Sequence, residues 1–125
     1  EGPRRWISAY LSRDDGKAWE ALEDPVKDAG IGHPPAMIRL QDGRICLIWG
    51  FRGEPYSIRA RLSGDGGKTW SDDYVLRDDG ASRDVGYPRV VQRPDGKVVA
   101  VYYFTDAKTG PERYIGATIW DPPRP

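Results

Sequence analysis

The chain has 125 residues, and 19 Lys+Arg are balanced by 19 Asp+Glu. Zero net charge argues against nucleic-acid binding through a basic face and against a polybasic membrane-surface segment. Leu, Ile, Val and Phe total only 24, a level that signals disorder when net charge is high; here charge is balanced, and five Trp and seven Tyr supply burial area.

Gly 15 and Pro 11 together point to many turns and a β-rich chain. The longest uncharged apolar run, around 45–51, is too short for a membrane-crossing helix. The first residue is Glu1 rather than Met, which leaves processing or excision from something longer open. Cys46 is the sole cysteine, so no internal disulfide forms. Within Ile45-Cys46-Leu47-Ile48 it reads as a buried thiol rather than a nucleophile.

In chain order, residues 1–30 hold two strands around the loop Ser12-Arg13-Asp14-Asp15-Gly16-Lys17-Ala18-Trp19. A strand at about 36–40 meets an Asp42-Gly43 hairpin turn, and a second runs over about 44–51. A third covers about 56–63, and a fourth follows at about 73–77. The loop between them, Ser63-Gly64-Asp65-Gly66-Gly67-Lys68-Thr69-Trp70, repeats the first loop at an offset of 51. Ile7, Ala9 and Leu11 align with Ile58, Ala60 and Leu62 at that offset, and these with Ile115, Ala117 and Ile119 at an offset of 57. Asp42–Trp49 aligns with Asp95–Tyr102 at 53.

A period just above fifty residues, rich in β formers and Asp-Gly turns, is the size of a four-stranded propeller blade. The expected fold is therefore all-β: a partial β-propeller of about two and a quarter antiparallel blades and nine strands, with no substantial helix. Residues 1–30 give the last two strands of one blade, 31–80 a complete blade, and 81–125 the first three strands of another. The second strands, 44–51 and 97–104, are apolar on consecutive residues and are expected to be buried on both faces. Trp49 and Tyr102 within them read as core.

The repeated loop, Ser-x-Asp-x-Gly-x-Thr-Trp, resembles the Asp box of sialidases and many unrelated propellers. As a folding device, Ser12 and Ser63 begin the loop, Asp14 and Asp65 accept backbone N–H bonds, and Gly16 and Gly67 take positive φ. Trp19 and Trp70 are expected to bury their rings between strands. The Asp-rich strings also resemble calcium loops, but no Glu stands at the twelfth position from Asp14 or Asp65, so no metal is expected.

A closer resemblance is carried by Gly32-His33-Pro34-Pro35, by Arg52 with Pro55-Tyr56-Ser57-Ile58-Arg59-Ala60-Arg61-Leu62-Ser63, by Gly86-Tyr87-Pro88, and by Arg113–Pro122. Together they look like the carboxyl-terminal part of bacterial sialidase-like glycoside hydrolases, which are six-bladed propellers. The resemblance implies that Tyr87 is the catalytic nucleophile and Arg52 one of three arginines clamping the substrate carboxylate, with His33 lining the site. It places the other two arginines, the glutamate partner of the tyrosine and the acid/base aspartate on blades outside this segment. Pro88 departs from the small or polar residue that commonly follows the family's tyrosine. The implied ligand is a glycan or small acidic sugar, with no cofactor, nucleic acid or membrane.

Simpler readings stand beside these: Arg52 as a solvated loop arginine, Tyr87 as channel packing, His33 as a hydrogen-bonded loop residue, and Arg83-Asp84 as a surface pair. Two other functional classes stay open: a module that completes its propeller by homo-oligomerisation and binds glycans without catalysis, and a structural Asp-box repeat.

Overall fold

The computed structural model describes residues 3–125. The fold is all-β and forms part of a propeller: nine strands lie in three antiparallel sheets, with no helix among the described residues. The first sheet pairs β1 (Tyr10–Leu11) with β2 (Glu20–Ala21). The second runs in order β3 (Ala36–Arg39), β4 (Ile45–Phe51), β5 (Ser57–Ser63) and β6 (Tyr74–Arg77). The third runs β7 (Gly86–Gln92), β8 (Val98–Phe104) and β9 (Tyr114–Trp120). Each strand pairs with its neighbour in sequence, as in a blade.

The first sheet extends beyond its two short strands. Ile7 bridges Val26, and Arg5 N–H donates to Gly30 O at 2.7 Å while Ala29 N–H donates to Arg5 O at 2.8 Å. This ladder gives Ile7 a face toward the second sheet, where it packs on Val26, Ala29, Leu47 and Trp49. The larger core lies between the second and third sheets and includes Cys46, Ile48, Ile58, Ala60, Val98, Ala100, Tyr102 and Phe104.

The period of two along a strand explains this division. On β4, Leu47 and Trp49 point to the first sheet, whereas Cys46 and Ile48 point to the third. Both faces are covered, so a continuous apolar run is what β4 requires. Trp49 and Tyr102 are core, as their strands suggest. Burial also pushes the Cys46 thiol up to about 12, which removes it as a nucleophile near neutral pH.

β8 departs from the expectation of two buried faces. Val98, Ala100 and Tyr102 are buried against the second sheet, but Val101 is 38% exposed on the other face. β9, which pairs with β8, carries the same open side: Ile115, opposite Tyr103, is 73% exposed and Ile119, opposite Val99, 59%. The repeat supplies the control. Ile58 and Ala60, at the positions equivalent to Ile115 and Ala117, are fully buried because the third sheet covers them.

Both Asp boxes fold as the sequence requires. In the first, Ser12 Oγ donates to Asp14 Oδ1 at 2.9 Å and accepts from Gly16 N–H at 2.8 Å. In the second, Lys68 and Thr69 N–H groups donate to Asp65 Oδ1, and Thr69 Oγ1 donates to Oδ2 at 2.6 Å. These donors favour the carboxylate, and the Thr69 hydroxyl most of all, so the Asp65 carboxyl is held down at about 2. Gly16 and Gly67 take φ of 84° and 90°. One expectation fails: Trp70 packs on the first core, but Trp19 is 63% exposed. Each indole donates to its box glycine carbonyl at 3.1 Å, so the local geometry is the same. The difference lies in the surroundings, since no described sheet packs over Trp19.

Candidate functional site

Strand direction sorts the loops. The segments preceding β3 and β7 and the segment leaving β4 lie at one end of the sheets, whereas both Asp boxes and the Asp-Gly turns lie at the other. His33, Arg52 and Tyr87 therefore share an end.

They also meet. The His33 and Tyr87 rings stack at 5.6 Å with 21° between planes. The Arg52 guanidinium carbon lies 5.7 Å from the Tyr87 ring centroid, within cation–π range. Tyr103 lies on another side of Tyr87, with ring centroids 5.7 Å apart. Tyr87 remains 49% exposed and has φ of 49°. A bulky side chain with left-handed backbone is costly and persists only where its surroundings enforce it.

The enforcing contacts are visible. Gly86 has φ of 122°, and a Cβ there would collide with the His33 ring. A Cβ on Gly50 would collide with His33 Nε2. His33 is thus clasped between two glycines, with Nε2 2.6 Å from Gly50 O and Nδ1 2.9 Å from Pro34 O. Two carbonyl acceptors favour an imidazolium, but burial and then the charge of Arg52 outweigh them and lower its pKa. We assign the single proton of the neutral ring to Nε2, the nitrogen with the shorter contact.

Arg52 is equally constrained. Its Nε donates to Val85 O at 3.2 Å, and its Nη2 donates to Tyr103 Oη at 2.7 Å. The Tyr103 hydroxyl in turn donates a hydrogen bond to Asp84 Oδ1 at 2.5 Å. Burial, then the bond to Asp84, raises that phenol to about 12 and keeps it protonated. The other oxygen of Asp84 accepts from Arg113 Nε at 2.6 Å. The Tyr103 hydroxyl, then Arg113, holds the Asp84 carboxyl below the usual carboxylate range. Arg52 is therefore no solvated loop residue: its side chain is 16% exposed and borders a cleft of about 550 Å³ with Arg4, Ile31, Glu54, Tyr56 and Arg83.

The surface-pair reading of Arg83-Asp84 is corrected. The ion-pair partners of Asp84 are Arg113 and Arg52, and Arg83 opens instead onto the cleft. Sequence reasoning missed Tyr103 and Arg113 as part of this cluster. A signal existed for Tyr103: the offset of 53 places it level with Gly50, one residue from the end of its strand. Arg113 immediately precedes β9 and carries no comparable mark.

No family model matches the sequence, and no curated protein matches it. Among solved structures, the chain is similar to a crystal structure of an unknown-function protein from Dyadobacter fermentans, with 35% identity and a TM-score of 0.70. The alignment covers 90% of this chain and 30% of that one, so the present chain spans under a third of the neighbour's length.

Proposed function

We propose that this chain is the carboxyl-terminal part of a sialidase-like glycoside hydrolase acting on terminal acidic sugars. The observation that carries the reading is Tyr87: half-exposed, in left-handed backbone, and flanked by His33 and Arg52. Backbone strain held in place by packing concentrates at working sites. A phenol is a suitable nucleophile for an anionic sugar, because a neutral oxygen approaches the anomeric carbon without charge repulsion. Arg52 supplies the complementary cation. With Nε and one Nη2 proton committed, its Nη1/Nη2 edge retains donors for a carboxylate. His33, neutral and clasped, supports the Tyr87 ring and leaves the positive charge to Arg52.

On this reading the glutamate partner of the tyrosine, the acid/base aspartate and two further arginines come from other blades. The chain alone then binds sugar weakly and does not hydrolyse it. Titration with N-acetylneuraminic acid, followed by NMR, is expected to move Arg52 and Tyr87 resonances, with the shifts lost in Arg52→Ala. Absence of any shift at saturating sugar overturns the proposal. Turnover of a fluorogenic sialoside by the chain, abolished in Tyr87→Phe, overturns its inactivity.

One observation favours a second reading, a self-associating module that binds glycans without catalysis. The third sheet leaves Val91, Ile115 and Ile119 each more than half exposed. Such a face gains by association with another sheet. Light scattering at high concentration decides this point, and a strict monomer removes the second reading.

A further inference from the structure

Arg52 and Asp84 stand 3.7 Å apart, Nη2 to Oδ1, yet are not directly hydrogen-bonded. An arginine and an aspartate this close ordinarily collapse into a bidentate pair. Two groups prevent it here. The Tyr103 hydroxyl sits between them, accepting from Arg52 and donating to Asp84 Oδ1. Arg113 takes Oδ2, and is itself anchored by donating from Nη1 to Pro111 O at 2.7 Å. Both oxygens of Asp84 are thereby occupied by groups other than Arg52.

Charge counting adds a second consequence. Arg52 and Asp84 alone are neutral, and Arg113 brings the cluster to a net charge of one positive unit. We propose that Arg113 is a specificity-determining positioning residue: by holding Asp84 it leaves the Nη1/Nη2 edge of Arg52 uncommitted, so that the neighbouring cleft takes a carboxylate-bearing sugar in preference to a neutral one. This rests on the reading of Arg52 as the carboxylate-binding group. It adds that this capacity depends on a residue 61 positions away in sequence, immediately before the far strand of the next sheet.

Removing Arg113 frees Asp84 Oδ2, and Arg52 is then the remaining ion-pair partner of this carboxylate among the described residues. The built-in carboxylate becomes a competitor for the sugar's carboxylate. The effect must therefore disappear when Asp84 loses its charge. This pattern separates positioning from a general structural role, because a damaged fold is not repaired by neutralising Asp84.

The test uses the full chain and N-acetylneuraminic acid, with galactose as the neutral control. Arg113→Gln is expected to weaken binding of the acidic sugar at least fivefold and to leave galactose unchanged. Arg113→Gln combined with Asp84→Asn is expected to return affinity to within twofold of the starting chain, and Arg113→Lys to retain most of it. An unchanged affinity in Arg113→Gln, or no recovery in the double variant with native-like amide spectra, overturns the proposal. A ligand-free measurement keeps it testable if the chain binds no sugar at all. The ¹⁵Nη resonances of Arg52 report rotation about its Cζ–Nη bonds, which slows when a carboxylate clamps the group. Arg113→Gln is expected to slow that rotation, and unchanged spectra overturn the inference. Absent sugar binding with slowed rotation refutes the proposed function while sustaining the role of Arg113 in holding Asp84 off Arg52.

Discussion

Ile58 and Ile115 occupy the same place in successive blades, and their fates differ completely. Ile58 is fully buried beneath the third sheet, whereas Ile115 is 73% exposed. Truncating each to Ala removes the same atoms from two environments. At Ile58 the loss combines transfer of the side chain with a cavity in a packed core, about 2–5 kcal/mol. At Ile115 the side chain is already mostly in water, and the expected change is within about 0.5 kcal/mol. Urea unfolding at low protein concentration reads both. With a slope of ~2 kcal/mol per M for a chain of this size, Ile58→Ala lowers the midpoint by roughly 1–2.5 M, and Ile115→Ala by less than ~0.3 M. A comparable loss at both positions, at a concentration where light scattering finds only monomer, refutes the reasoning. A loss at Ile115 that grows with protein concentration instead indicates that a second copy covers the face.

The remaining predictions concern titrating groups. The Asp65 carboxyl is held at about 2, below its ordinary 3.8, so the contribution of its ionised form is fully present above about 4 and is lost as pH falls through 2. Thermal melts between pH 5 and pH 2 are expected to decline more steeply for the unaltered chain than for Asp65→Asn, and equal slopes refute this. The folded-state pKa of His33 is lowered, so its contribution is fully present above about 6.5 and is lost as pH falls toward the folded value. Its ring carbons are expected to titrate below 6.5 by NMR, and at higher pH in Arg52→Gln than in the unaltered chain. Titration at or above 6.5 in the unaltered chain refutes the assignment of a buried neutral ring.

Much of the architecture was legible because a propeller repeats. The alignment of Asp42–Trp49 with Asp95–Tyr102 placed two central strands and their turns with no tertiary knowledge. The alternation Ile58, Ala60, Leu62 gave the core-facing side of β5. What periodicity could not supply was the identity of the covering layer. Trp19 and Trp70 have the same local signal, yet one is exposed, because burial depends on the neighbouring sheet rather than on the residue's own blade. The site divides similarly. His33, Arg52 and Tyr87 lie in loops whose shared end follows from strand direction, and the structure brings them together. Arg113 and Asp84 meet through side-chain reach across 29 residues, which no local spacing encodes.

The separation of the two ends has a practical consequence. Gly64 and Gly66, in the second Asp-box loop, have open space where a side chain would project. β5 spans from there back to Ser57, near the end that holds His33, Arg52 and Tyr87, a path of about 20 Å at the rise of an extended strand. Gly66 has φ of 78°, which argues against a side chain there, but Gly64 has no such restriction. A single cysteine at Gly64 is therefore a handle for tethering this protein to a surface with the end that carries His33, Arg52 and Tyr87 presented to solution, and Cys46, sealed in the core, would not compete for the coupling reagent.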